Sequence, residues 1–223
     1  MDSQQLLLPT HFLGIDVALG RLDFGLLRES ENERWTLACR PGVATDAETL
    51  LAQIGGIAPP QRILAGIDAP LSLPAEGAWR ECERMLHRAG IACYAPLGGA
   101  FARVKYFGIA TAERLRRAGI TCVEVYPYAT RRRLEIAPRC KKQTPEGRQA
   151  IREALCRFID HLAELPEHAS HDALDAILAA LTVALAARGK CERLAGRDGE
   201  ILLPLTATRP SPLSPPDCAA RPR

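Results

Sequence analysis

The chain has no CxxC pair and no closely spaced Cys/His set, although its 223 residues include eight cysteines. Neither a zinc-type motif nor a disulfide framework is therefore indicated. Cys39, Cys82, Cys93, Cys122, Cys140, Cys156 and Cys191 are scattered through predicted elements, and Cys218 lies in the tail. They read as reduced thiols that fill space as small hydrophobes. A membrane span is missing too: the apolar run 173–187 carries Asp175 and is shorter than the ~20 residues a span needs. Leu6-Leu7-Leu8 is too short for the apolar region of a signal peptide, and no basic residue precedes it. These absences predict a soluble, cytoplasmic protein with no membrane partner. There is no internal repeat, and no large excess of one charge sign. The formal net charge of +3 is only a weak pointer to a polyanionic partner, because local distribution matters more. With 47% hydrophobic and 25% charged residues, the chain can bury a sizeable core, and its length fits one domain or one domain with an insertion.

What the sequence does contain is a repeated acidic grammar. Leu13-Gly14-Ile15-Asp16, Leu64-Ala65-Gly66-Ile67-Asp68-Ala69-Pro70 and Cys122-Val123-Glu124-Val125-Tyr126-Pro127 are apolar segments that each carry one carboxylate. A fourth segment, His171-Asp172-Ala173-Leu174-Asp175-Ala176-Ile177-Leu178, opens an apolar helix. A carboxylate in an apolar strand is costly unless it is paired or bound to a metal. The pattern suggests carboxylates converging on hard cations, magnesium or manganese.

Periodicity supplies the frame. Residues 12–18, 21–28 and 34–39 predict three strands joined by short polar connections, as in an antiparallel meander. Asp46 opens a helix with Leu50, Leu51 and Ile54 on one face, and Gly55-Gly56 stops it. Residues 62–68 form a strand covered on both faces. A helix over 76–89 follows, then an irregular glycine- and aromatic-rich stretch 94–108, a helix over 111–118 and a fifth strand over 120–126 closed by Pro127. Residues 128–147 read as a basic connection, and 148–165 as an amphipathic helix. Ser170 is the expected N-cap of the last long helix, which Gly189 ends. Residues 201–204 predict a short edge segment. The expected sheet order is 3-2-1-4-5, with strand 2 antiparallel to its neighbours. Sites in such sheets lie at the carboxyl ends of the parallel strands, which is where Asp16, Asp68 and Glu124 fall.

Each carboxylate also has a plain structural reading. Asp172 suits the first turn of a helix. Asp16 and Asp68 suit tight turns, and Glu124 suits a strand end reaching solvent. Asp175 resists such a reading, because Leu174, Ile177, Leu178 and Leu181 surround it. Together, carboxylates on elements that pack side by side favour two divalent ions about 4 Å apart, able to activate water and stabilise a leaving phosphodiester oxygen.

The combination Gly14-Ile15-Asp16, Ile67-Asp68-Ala69-Pro70, Arg80-x-Cys82-Glu83, Glu124-Val125-Tyr126-Pro127, Lys142 and His171-Asp172-x-x-Asp175-Ala176 resembles the domain of unknown function 429 family over most of residues 12–204. The resemblance implies an α/β, RNase H-like fold, with a five-stranded mixed sheet flanked by helices, over residues 1–204, followed by a disordered Pro-rich tail over 205–223. It implies a nuclease, as members are described as predicted nucleases. The layout is also similar to the Holliday-junction resolvases, where a first-strand Asp, a fourth-strand acid and a DxxD pair hold two metals. On that resemblance Asp16, Asp68, Asp172 and Asp175 are metal ligands for Mg2+ or Mn2+, Asp16 bridging both ions. Asp68 stands where the resolvases have Glu. Glu124 joins them as a catalytic or outer ligand. Arg80, Glu83, Lys142, Arg131 and Arg132 become expected substrate contacts.

These last residues have plainer readings as well. Arg80 and Glu83 would be a surface ion pair, worth at most ~1 kcal/mol. Lys141, Lys142 and Arg131-Arg132-Arg133, with Arg103 and Lys105, are either a basic groove for phosphates or a solvated loop. The expected partner is DNA or RNA, and a homodimer stays open. Two other classes remain beside the nuclease: a nucleotide-binding protein of the actin-like or sugar-kinase type, suggested by Gly20 and Gly25 after Asp16, and a non-catalytic nucleic-acid binding module on the same fold.

Overall fold

The computed structural model describes residues 8–30, 34–93, 101–162, 165 and 169–206. Its main sheet is built from β1 (His11–Ala18), β2 (Arg21–Glu29), β3 (Trp35–Leu37), β4 (Gly42–Ala44), β5 (Ile63–Asp68), β6 (Thr121–Glu124) and β7 (Ile159–Asp160). The order is β6-β5-β1-β2-β3-β7, with β4 also paired to β2. The predicted order 3-2-1-4-5 is contained in it as β3-β2-β1-β5-β6, and β2 is antiparallel to both neighbours. Five strands become seven because β4 and β7 are too short to show an alternating pattern. A hairpin of β8 (Cys191–Gly196) and β9 (Gly199–Pro204) replaces the predicted edge segment and touches the sheet through a bridge from Val125 to Leu202.

Helices cover both faces. The helices are α1 (Ala47–Ile54), α2 (Glu81–Arg88), α3 (Phe101–Arg117), α4 (Pro127–Arg133), α5 (Pro145–Leu155) and α6 (His171–Ala187). Alternation along β1 divides the core. Phe12 joins Ile177, Leu181 and the α5 residues Ile151 and Leu155. Leu13, Ile15 and Val17 join Leu50 and Ile54 of α1 and Leu115 of α3. The central α6 is buried from Leu174 to Leu185, so it is apolar around its circumference rather than amphipathic. Ser170 accepts from the Ala173 amide at 3.0 Å, as its N-cap role requires.

Several boundaries differ from expectation. The helix expected from residue 76 begins at Glu81, where Arg80 and Glu83 make a reciprocal cap. Residues 101–108, expected to be irregular, belong to α3, while 94–100 lie outside the described residues. Gly108 does not break that helix; a Cβ there would meet the Ala69 Cβ at 2.6 Å, so glycine lets α3 approach the loop after β5. Pro127 ends one element and opens another: at the first turn of α4 its missing N–H costs nothing. The helix expected over 148–165 stops at Leu155, before β7. Of the tail, residues 207–223 lie outside the described residues.

Candidate active site

Two glycines set the site's geometry. β1 and β5 run parallel, with Gly14 opposite Gly66 and Asp16 opposite Asp68. A Cβ on Gly14 would lie 1.9 Å from the Ala176 carbonyl oxygen and 2.2 Å from the Ala180 amide nitrogen. A Cβ on Gly66 would lie 2.8 Å from the Ala179 carbonyl oxygen. Helix α6 thus lies directly on the sheet at both glycines. Side chains two residues apart share a face, so Asp16 and Asp68 point to the α6 side, beside its N-terminal turn. Neighbouring strands are about 4.8 Å apart, which makes the two carboxylates neighbours. Asp175, 4% exposed, comes to the same place from α6. Asp172 lies one turn earlier, half-exposed, with the His171 Nδ1 at 3.0 Å and an Arg21 guanidinium nitrogen at 4.0 Å.

The electrostatics follow from that crowding. Burial, then the charges of Asp175 and Asp172, push the Asp16 carboxyl up to about 7. Burial, then Asp16 and Asp175, hold Asp68 well above the usual carboxylate range. Burial also raises Asp175, against the opposing charges of Lys142 and Arg131. Lys142 donates a hydrogen bond to the Asp175 carboxylate. Burial disfavours its ammonium, but Asp175, Asp16 and Asp68 outweigh that effect and raise its pKa. Among the described residues no three His, Cys, Asp or Glu side chains are gathered closely enough to hold a metal as they stand. Asp16, Asp68 and Asp175 share the charge of the Lys142 ammonium, whereas Asp172 stands outside that set beside His171 and Arg21.

Glu124, an expected catalytic carboxylate, has another position and another partner. It is the register partner of Ile67, so it faces the opposite side of the sheet from Asp68. Its oxygens accept from Arg80 Nη2 at 2.5 Å, Arg80 Nη1 at 2.7 Å and the Leu71 amide at 2.8 Å. Arg80, 1% exposed, also donates from Nε to Glu83 at 2.8 Å and from Nη1 to Ser72 at 3.0 Å. Arg80 and Glu83 are therefore not a surface pair. They form a buried brace that ties the loop after β5 to β6 and α2, with the guanidinium committed to protein acceptors.

The basic run divides in a similar way. Arg131 is buried and donates to the carbonyls of Ile136 at 3.3 Å and Cys140 at 2.9 Å, holding the loop that presents Lys142. Arg132 is exposed, with Tyr128 Oη at 3.4 Å. Arg133 pairs with Glu192 at 2.8 Å. Of these three expected contacts on one groove, only Arg132 offers its charge to solvent. Sequence reasoning also passed over Asp23, the register partner of Asp16 across β1–β2. It is 3% exposed and accepts two hydrogen bonds from Arg21, at 2.7 and 2.8 Å. Its signal was the one used elsewhere, an acidic residue inside an apolar strand.

Asp16, Asp68 and Asp175 line a cleft of about 710 Å3 together with Lys142, Arg131, Glu124, Arg80, Glu83 and Lys105. It runs past the carboxyl ends of β1, β5 and β6, from the α6 side of the sheet to the α3 side.

Two solved structures share the architecture. Thermus thermophilus RuvC in complex with a Holliday junction substrate superposes with a TM-score of 0.51 at 10% identity, covering 85% of this chain and 99% of that one. Another Thermus thermophilus RuvC structure gives 0.50 at 13% identity, with the same coverage. At such identity the likeness is one of fold, and the fold is RNase H-like. No curated protein matches the chain. Residues 14–200 match the family model described as "Protein of unknown function (DUF429)", and the chain belongs to that family.

Proposed function

We infer that the protein is a metal-dependent nuclease that hydrolyses phosphodiester bonds of DNA or RNA with two Mg2+ or Mn2+ ions. The observation that carries this reading is the register pairing of Asp16 with Asp68 beside Asp175, in one cleft at the carboxyl end of parallel strands. The donor set fits hard cations, since it consists of carboxylates whose charge is poorly compensated. Asp16, Asp68, Asp172 and Asp175 would hold the ions, once Lys142 yields its place on Asp175. Bound ions would activate water and stabilise the leaving oxygen. Of the expected substrate contacts, Lys142, once released from Asp175, and the exposed Arg132 would meet substrate phosphates, whereas Arg80, Glu83 and Arg131 act by holding the walls of the cleft. The Thermus thermophilus RuvC whose fold this chain shares is described in complex with a Holliday junction, and that supports a nucleic acid as partner.

The test is cleavage of DNA and RNA by purified protein with manganese or magnesium. Activity should vanish with chelator and in Asp16→Ala. Cleavage that survives both Asp16→Ala and Asp175→Ala would end the two-metal reading.

A further inference from the structure

Lys105, on α3, lines the same cleft at a distance from the aspartates, on the side of the sheet that Glu124 faces. It is 1% exposed, and its buried Nζ has no hydrogen-bond partner. An ammonium carries three N–H donors and accepts nothing, so a buried one without acceptors is costly. Its charged neighbours do not relieve it. Arg80 and Glu83 are bonded to each other, and Arg80 is also held by Glu124. The Tyr106 ring lies 4.8 Å from Nζ, a cation–π contact that offsets part of the burial cost but occupies none of the three N–H donors with an acceptor. Burial, and next the Arg80 charge, lower the Lys105 pKa despite Glu83. Orphaned buried donors in a folded protein call for an explanation such as a ligand.

We propose that Lys105 Nζ anchors a backbone phosphate of a single-stranded stretch of substrate, at a point in the cleft separate from the aspartates. The assignment rests on the nuclease reading. A phosphate supplies several charged acceptors, matching three vacant N–H groups on a flexible stem. The cleft's volume of about 710 Å3 falls in the range of small-ligand sites and has room for unpaired nucleotides. The same chemistry would also hold a free phosphate, so both sources enter the test.

Binding is measured in EDTA, where metal-dependent cleavage is silent, using fluorescence anisotropy of a labelled 12-residue oligothymidylate and of a duplex of equal length. Lys105→Met should weaken single-strand binding about tenfold or more, as expected for losing a charge-assisted bond to phosphate. Lys105→Arg should restore most of it, and Lys190→Met should change nothing. Lys105→Met should melt no lower than the parent, because an unpaired charge is removed rather than a contact. An unchanged affinity in Lys105→Met overturns the proposal, as does a duplex that binds equally well and depends equally on Lys105.

A second measurement uses the unaltered chain. It has four lysines, Lys105, Lys141, Lys142 and Lys190, so Nζ-labelled protein gives few lysine signals, assignable through Arg variants of the other three. The oligonucleotide should shift the Lys105 signal. A shift with inorganic phosphate and none with the oligonucleotide would assign a free-phosphate site and overturn the strand anchor. Binding through Lys105 in a protein that cleaves nothing with manganese would sink the nuclease reading while leaving the anchor intact.

Discussion

Arg80 and Arg132 are the same residue type, and burial separates their meanings. Arg80 is 1% exposed and bridges two carboxylates, while Arg132 is exposed and touches one hydroxyl. Removing one partner of a buried ion network leaves an uncompensated charge, which costs about 3–5 kcal/mol. Glu124 makes that penalty visible: burial raises its pKa, and Arg80 is the main opposing influence. Arg80→Ala should therefore lower stability by about 3–5 kcal/mol in urea melts, within the cost of a broken buried pair. Arg132→Ala should stay within about 0.5 kcal/mol, as for a plain surface change. A stable Arg80→Ala protein with impaired substrate binding would make Arg80 a substrate contact rather than a brace.

At the scale of elements, the legible parts of the sequence were those with strong local punctuation. Ser170 and Gly189 bracket α6, and Asp46 and Gly55 bracket α1. The repeated Gly-Ile-Asp of β1 and β5 marked the site, because a glycine that admits α6 and an aspartate two residues later fall on one face. Illegible parts were those where one residue serves two elements or where pairing is tertiary. Pro127 hid α4 by reading only as a strand end, and Gly108 hid the first half of α3 by reading as a breaker. Glu124 shared the acidic grammar of Asp16 and Asp68, but its face depends on the β5–β6 register, which sequence alone does not set. The glycine-to-helix contact can be tested directly. Gly14→Ala would drive a Cβ into the α6 backbone, 1.9 Å from an oxygen that cannot rotate away. It should cost about 3 kcal/mol or more, at or beyond the upper end of overpacking penalties. Gly56→Ala, whose Cβ would meet nothing within 4 Å, should lie within about 0.5 kcal/mol. Equal melts for the two variants would mean that α6 does not rest on β1 as described.

Across the whole molecule, the fold concentrates repulsion where the sheet's parallel strands and its central helix begin and end together. The metal-free protein is thereby destabilised by its own carboxylates. Burial and the charges of Asp175 and Asp172 push the Asp16 carboxyl up to about 7 from 3.8, so its protonated form is the one the fold favours. The contribution to stability is complete below 3.8 and is lost as pH rises through the folded value near 7. Asp68 and Asp175 are shifted in the same direction. Melting temperature in EDTA should consequently fall as pH is raised from about 4 to about 7, in line with that linkage. Manganese should reverse the trend, because binding to the native state alone stabilises it by mass action. Its effect should be larger at pH 7.5 than at pH 5.5, where protons compete for the same oxygens. Asp175→Asn removes the largest charge acting on Asp16 and frees Lys142 to approach Asp16 and Asp68. The variant should show a flatter pH dependence in EDTA and a smaller gain from manganese. A parent protein whose melts neither fall with pH nor respond to manganese would show that Lys142 alone neutralises the cluster, and that the aspartates serve the fold rather than a metal.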